Sequence, residues 1–399
     1  MMFRKSVQEN NTLQIFVVIG TVILFVSFFV ALQYVYILVF LALLVSIVYV
    51  LNVFYEKHID DYLTFSFKRP VIRTHQGDDG YVEVTIEQKG ILPILNGLLV
   101  LEMDDVVLLK DGQHQKRRFA SFVDRPFNLM FWEKRTFRFP FEASKRGVAR
   151  IRTLELRIPK IFGFGDVYLT SKVNFAQEVV VYPKKSTVPN IELLSPKRMG
   201  HHRARHSLFD NQSLPVGTRE YQPGDGFNKI HWKASAKEGE LQTKVFEKSS
   251  QISWRFIINV RSSSHYLAPD NIEELLENVA YMARFASKHN IPYSVFVNIP
   301  AINQIPFVHQ QEGQGEKHYK RTLELMARMN LFTFSTPYEK LLHFIWKHEA
   351  PSAYTIHVGP IDDRQQKYLS QVANKGSEVY YLTPGKLSKG QEVEVKIHG

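Results

Sequence analysis

The chain contains no cysteine, and from Leu13 to Phe54 it contains no charged side chain. The first absence excludes a disulfide scaffold, a thiolate nucleophile, cysteine-ligated zinc and iron–sulfur centres. The motifs G-x-x-x-x-G-K-[ST], G-x-S-x-G and H-E-x-x-H are also missing, so the common phosphate loop, nucleophile elbow and zinc-protease signatures have no counterpart here. Acidic residues are in deficit, 39 Asp and Glu against 50 Lys and Arg, which leaves a net charge of +11 over 399 residues. Aromatic residues are not scarce. At 13% aromatic and 45% hydrophobic, the chain has enough apolar surface to bury, and disorder is excluded as its main state.

The charge-free stretch divides into two apolar runs, Ile15 to Ala31 and Val35 to Leu51, separated by Gln33 and Tyr34. About 20 helical residues cross the ~30 Å hydrocarbon core of a bilayer. The runs therefore predict a two-helix transmembrane hairpin over residues 1–56. A buried soluble hairpin would need a polar face on each helix, and neither run has one. A cleaved signal peptide fits less well, because the first run is long, lacks a small-x-small cleavage site and is followed at once by a second. Tyr34, Tyr36, Tyr49 and Tyr55 sit near the ends, where amphipathic rings settle. Arg4 and Lys5 precede the first run, while Lys57, Lys68 and Arg69 follow the second. Positive flanks are retained inside, so the expectation is a multi-pass protein of the cell membrane with a cytoplasmic body.

Residues 57–183 alternate with period two at Tyr81–Glu87 and Thr136–Phe141, with turn residues between the runs. This predicts an all-β, sandwich-like domain. Residues 184–215 form a basic linker. From Lys184 to Ser207, Lys184, Lys185, Lys197, Arg198, Arg203 and Arg205 face a single acid, Glu192, leaving +5 of the total. A solvated linker is the simplest reading. Contact with anionic lipid is an alternative. Nucleic acid ranks last, because no aromatic side chain lies between Tyr182 and Phe209 to stack on bases. His202 and His206 have metal-ligand spacing but arginine neighbours and no nearby carboxylate. After Ser250, apolar β-prone runs alternate with helical periodicity, as in Asn271–His289, Lys317–Met329 and Asp362–Asn374. That order predicts a doubly wound α/β domain with a parallel sheet covered on both faces.

Between linker and α/β domain the chain reads Arg219-Glu220-Tyr221-Gln222-Pro223-Gly224-Asp225, then Ile230-His231-Trp232-Lys233-Ala234-Ser235-Ala236, then Lys244-Val245-Phe246-Glu247. Pro223 and Gly224 suit a turn, and Asp225 is positioned to cap a short helix through Ala236. A turn, cap, helix and returning strand would bring Arg219, Asp225, Trp232 and Lys244 within reach of one another. The segment closely resembles the signature of the bacterial "domain of unknown function 58" family, carried here by Arg219, Tyr221, Pro223, Gly224, Asp225, Trp232, Ser235, Lys244 and Glu247. More weakly, Lys145-Arg146-Gly147 and Phe162-Gly163-Phe164-Gly165 extend the likeness upstream.

The resemblance implies that residues 216–399 hold the signature and a von Willebrand factor A-like fold. It also implies association with MoxR-type AAA+ ATPases and transglutaminase-like membrane proteins. Such a fold commonly binds a divalent metal through Asp-x-Ser-x-Ser at the end of its first strand. Here the matching residues are Asn259, Arg261 and Ser263. Asn259 removes the anionic ligand and Arg261 brings a like charge to the cation, so no metal and no cofactor are expected. No nucleophile with an adjacent base accompanies the signature, and no catalytic residue is assigned. The expected function is that of a membrane-anchored adaptor or scaffold. The rival is an envelope-related hydrolase using Asp225 with a hydroxyl such as that of Ser235 or Ser263, which requires a carboxyl with a raised pKa.

Overall fold

The computed structural model describes residues 3–7, 12–29, 32–110, 115–117, 120–162, 165–171, 175, 177–189, 191–194, 210–248, 252–261, 268–301, 306–331 and 335–390. The chain forms two compact units, Met1–Lys184 and Lys185–Gly399.

The first unit begins with β1 (Phe3–Val7), followed by the apolar helices α1 (Thr12–Ser27) and α2 (Leu32–His58). Helix α2 starts before Gln33 and Tyr34, so these residues continue a helix instead of turning the chain, a correction to the sequence reading. Neither is a helix breaker, and the Leu32–Val39 run carries the helix through them. Among the described residues one helix, Val35–His58, is long and apolar enough to cross a membrane; Val17–Val26 is apolar but shorter. Two hydroxyls on these helices bond within their own helix, whereas the amide of Asn52 on α2 is buried without a hydrogen-bond partner. Thr21 Oγ1 donates to the carbonyls of Val17 and Val18, and Ser46 Oγ to that of Ala42. Gly20 lets the helices approach, since a Cβ there would sit 3.5 Å from Val45 Cγ1.

Strands β2 (Leu63–Phe67), β3 (Val71–His75), β4 (Asp79–Gln88), β5 (Ile94–Asp104), β6 (Val107–Leu109), β7 (Gln115–Arg117), β8 (Ala120–Leu129), β9 (Lys134–Ala143), β10 (Gly147–Pro159), β11 (Asp166–Ser171) and β12 (Glu178–Tyr182) follow. One sheet runs β1-β11-β10-β5-β8-β7, with β12 joining β10 to β3, and the other runs β2-β4-β9-β6. Period-two alternation turns Val82, Val84 and Ile86 of β4 and Phe137, Phe139 and Phe141 of β9 into one core with Leu99 and Leu101 of β5 and Leu154 and Leu156 of β10. Each such side chain contributes about 1.5–3 kcal/mol on burial. Strand β1, which the sequence reading assigned to the membrane segment, belongs to this body and pairs antiparallel with β11.

The end of α2 is built into the same core. Tyr55 and Ile59 are buried there, and Tyr55 hydroxyl donates to Pro93 O at 2.8 Å. Lys160, itself buried, pairs with Glu56 at 2.7 Å, and Lys5 of β1 pairs with Asp60 at 2.6 Å. The helix and the sheets are therefore one packed structure, not a domain on a leash.

The second unit contains β13 (Asp210–Glu220), α3 (Trp232–Glu238), β14 (Gln242–Lys248), β15 (Trp254–Ile258), α4 (Ile272–Lys288), β16 (Tyr293–Pro300), β17 (Phe307–Gly313), α5 (Gly315–Arg328), α6 (Tyr338–His348), β18 (Tyr354–Val358), α7 (Asp363–Ala373), β19 (Glu378–Thr383) and β20 (Lys386–Lys389). Its main sheet has the order β17-β16-β15-β18-β19-β20. The four inner strands are parallel, and both edges are antiparallel. The expected wholly parallel sheet is corrected at those edges, where short strands with polar residues, such as Gln310, Gln311 and Glu312 of β17, do not carry the continuous apolar run of a strand buried on both faces. On one face Trp254 stacks on Phe285 of α4 and Tyr293 bonds Thr322 of α5. On the other, Ile257 packs with Leu341 of α6 and Leu369 of α7.

Candidate functional site

Strands β13 and β14 form a separate two-stranded antiparallel sheet in which Arg219 lies opposite Thr243 and Thr218 opposite Lys244. The intervening turn returns over that rung. Asp225 Oδ1 accepts from Arg219 Nη2 at 2.6 Å, and its Oδ2 accepts from Gln222 N at 3.1 Å and from Thr243 Oγ1 at 3.2 Å. The turn closes through Asp225 N to Gln222 O at 3.0 Å. Gly224, at φ +112°, supplies the left-handed residue that the turn needs, beside an exposed Pro223. Tyr221 hydroxyl, half-buried, donates to Asp225 O at 3.4 Å. Asp225 is thus a staple across a turn and two strands.

This changes the role expected for Asp225. The N-cap of α3 is His231, whose Nδ1 accepts from Ala234 N at 3.1 Å, which places the ring proton on Nε2. An Asp that follows Pro-Gly can cap the turn behind it or the helix ahead; here the turn wins, because Arg219 and Thr243 are opposite one another and add two bonds. Ser235 Oγ donates to His231 O at 3.1 Å and accepts from Gln242 N at 2.8 Å, tying α3 to β14. The Arg219 guanidinium, followed by the Gln222 amide, holds the Asp225 carboxyl below the usual carboxylate range. The hydrolase reading requires a raised value, the opposite of the direction at Asp225, and Ser235 Oγ is engaged with the backbone of His231 and Gln242.

Trp232 does not join this staple. It is 63% exposed, and Phe227, five residues earlier in the turn ahead of α3, is 76% exposed. Leu241 and Val245 are also exposed. The buried positions between helix and sheet are filled by Ile230 and Ser235 instead. Lys244 is half-buried on β14; Glu247 lies on the same strand.

At the end of β15 the residues matching the metal motif have another task. Asn259 Nδ2 donates to Pro360 O at 2.7 Å, and its Oδ1 accepts from Asn298 Nδ2 at 2.8 Å and from Arg261 N at 3.1 Å. Asn298 Oδ1 accepts from Val260 N at 2.9 Å. The two buried amides knit the ends of β15, β16 and β18 together and leave no Asn259 oxygen lone pair aimed at open space. Ser263 lies outside the described residues. Among the described residues no group of three His, Asp or Glu side chains could hold a metal ion. Lys184 and Lys185 are exposed; Lys197, Arg198, Arg203 and Arg205, with His202 and His206, lie outside the described residues.

Thr243 and Asn298 were not singled out in the sequence. The available signal was the same in both cases, a polar residue at an inward position of a strand, in Leu241-Gln242-Thr243 and in Val295-Phe296-Val297-Asn298-Ile299.

The chain is similar, at 24% identity over 279 residues, to "Uncharacterized protein YeaD" of Bacillus subtilis (strain 168). The alignment covers 66% of this chain and 62% of that protein, so the match spans about three fifths of its length. Solved structures with local likeness include "AvmM Catalyzes Macrocyclization in Alchivemycin A Biosynthesis" at 12% identity, covering 32% of this chain and 93% of that one with a TM-score of 0.22. Another is the non-cellulosomal cohesin from the hyperthermophilic archaeon Archaeoglobus fulgidus at 16% identity, covering 30% and 89% with a TM-score of 0.20. Scores of this size establish neither a shared fold nor a shared activity. Residues 217–332, which hold the staple, α3 and the first strands of the α/β sheet, match the family model described as "Protein of unknown function DUF58".

Proposed function

We propose that the chain is a membrane-anchored, cytoplasmic, non-enzymatic adaptor that docks another protein on the surface of the Arg219–Asp225 module. The resemblance points to a MoxR-type AAA+ ATPase as the partner and to membrane or envelope assembly as the setting, with a transglutaminase-like membrane protein as a further associate. One observation carries this reading. The ionised side chain of the signature is consumed internally, while Phe227 and Trp232 stand 76% and 63% exposed beside it. Large aromatic side chains are costly to leave in water and are enriched among the residues that dominate protein interfaces.

The anchor in this reading is a two-helix hairpin. Strands β1 and β2 belong to one body, so the chain leaves it after Val7 and is back at Leu63. A crossing by α2 then needs a return crossing, and α1 is the segment available for it. Its 16 residues give about 24 Å at 1.5 Å per residue, short of the ~30 Å core; the apolar Phe28 and Phe29 beyond it extend the run. The von Willebrand factor A-like assignment also belongs to this reading, supported by the parallel order β16-β15-β18-β19 with helices on both faces.

The test is binding of the purified ATPase by the full-length chain in detergent. Phe227→Ser/Trp232→Ser is expected to weaken the complex about tenfold or more, since loss of an aromatic anchor costs ~2 kcal/mol. Asp225→Ala, which frees the turn, should weaken it too. Affinities unchanged in both variants, with their thermal unfolding unaltered, would contradict docking at this face.

A further inference from the structure

The end of the sheet body from which α2 emerges has a chemistry of its own. Strand register puts three connections there: Leu63, the first residue of β2, lies opposite Gln88, the last of β4. Glu87 lies opposite Lys134 at the start of β9, and Ile94 at the start of β5 lies opposite Leu129 at the end of β8. Pro159 at the end of β10 lies opposite Asp166 of β11, whose Val167 faces Val7 at the end of β1. The connections 89–93 and 130–133 and residues 160–162 therefore surround the points where the chain enters α1 and leaves α2. The bonds from Tyr55 to Pro93 and from Lys160 to Glu56, with Lys89 N to Tyr62 O at 3.0 Å, hold these connections against the helix end.

Their tips are apolar and exposed: Ile91 (70%), Phe131 (54%), Trp132 (71%), Ile161 (48%) and Phe162 (40%), with Leu95 (51%) beside them at the start of β5. Trp132 is held at φ +58°, a conformation that turns normally give to Gly or Asn and that is an outlier for a bulky residue. A turn shaped by stability alone would not place a solvent-facing indole there. Among the described residues the opposite end carries charged pairs, with Tyr81 45% exposed nearby. Asp79 pairs with Lys110 and Asp105 with Lys145, and Leu108, 38% exposed, is the large apolar residue showing on the short strand between them.

We infer that the apolar end is a seat that rests in the headgroup region of the same bilayer that α2 crosses, with the aromatic tips in the interface and the exposed Lys89 and Lys134 beside lipid phosphates. The occupant follows from continuity. The span Val35–His58 ends at this face, and the helix end is locked to the sheets, so the tips and the end of the span share one level. Exposed apolar patches of this kind mark an interaction surface, and Trp and Lys are the side chains that settle at a membrane interface. Phe162, part of a motif that the docking reading leaves unused, acquires a role here. The inference rests on α2 crossing a membrane.

The lack of cysteine permits single reporters in the full-length chain. Phe131→Cys and Ile161→Cys mark the tips, Asp79→Cys the opposite end and Leu43→Cys the middle of α2. Each is labelled with NBD and reconstituted in phosphatidylethanolamine/phosphatidylglycerol vesicles, with iodide on both sides of the membrane or with brominated lipid as quencher. The tip labels should be several-fold less quenched by iodide than the Asp79 label, and quenched by lipid brominated near the headgroup. If the tip labels are as open to iodide as the Asp79 label while the Leu43 label is protected, the seat is wrong and the anchor stands. If the Leu43 label is open to iodide, the anchor itself fails and takes the seat with it. Tip labels shielded from both quenchers would mean that protein covers them, which also overturns the inference.

Discussion

Gly359→Ala is expected to unfold the α/β part of the second unit. Gly359 follows β18 at φ +104°, and a Cβ on it would stand 2.2 Å from the carbonyl oxygen of Asn259 and 3.2 Å from its carbon. The obstacle is backbone, held by Asn259 N to Val358 O at 2.8 Å and by the amide bonds from Asn259 to Pro360 and Asn298. It cannot rotate away as a side chain would. The strained φ and the displaced strand ends together should cost about 4 kcal/mol or more. Gly385→Ala is the control, because Gly385 has φ +64° with nothing within 4 Å of a Cβ, and it should cost only about 1 kcal/mol. Thermal unfolding of the full-length chain in detergent, followed by the fluorescence of the buried Trp254, separates the two. Equal losses would show that the close approach at Asn259 is not real.

Acid should weaken the same part before carboxylates protonate. His357 is fully buried on β18, and burial pushes its pKa down to about 4. Its Nε2 faces the carbonyl of Gly359 at 3.0 Å and must carry the proton, so its Nδ1 accepts from Tyr338 hydroxyl at 2.7 Å. The folded state thus prefers the neutral ring. Above the ordinary histidine value, near 6.5, both states are neutral and the full stability is present. As pH falls, the unfolded chain takes up the proton first. Stability should drop by about 1.4 kcal/mol per pH unit, reaching a loss of about 3 kcal/mol near pH 4. His318, also pushed down by burial and donating from Nε2 to Tyr293 O at 2.9 Å, acts in the same sense. His357→Gln should flatten the dependence between pH 6.5 and 5, where few carboxylates titrate. An unchanged slope in that variant would contradict the assignment.

Much of the architecture is visible along the chain because it is encoded locally. The charge-free stretch, the period-two runs at Tyr81–Glu87 and Thr136–Phe141 and the helical spacing of Ile272, Leu275, Leu276 and Val279 each report their own environment. What escapes is encoded by proximity between distant residues. Phe3–Val7 alternates, but five residues beside an apolar run look like its flank until β11 is there to pair with them. The Asn259–Asn298–Gly359 lock joins three strand ends that no spacing rule connects. The signature illustrates both situations. Its turn and short helix are readable, yet whether Asp225 serves the turn or the helix depends on Thr243, eighteen residues away and opposite Arg219. Trp232 shows the limit from the other side, since an aromatic residue in a helix suggests core until the fold leaves it in solvent.

The central claim is that the surface beside the Asp225 staple touches another protein. Its most direct test is to replace Trp232 with a photoreactive benzoylphenylalanine in the full-length chain, irradiate native membranes and identify what becomes attached. A discrete protein adduct is expected at position 232, absent when the probe is moved to Lys386, and diminished by Arg219→Ala. If position 232 yields only the adducts seen at Lys386, or if the adduct survives Arg219→Ala undiminished, the docking account is contradicted.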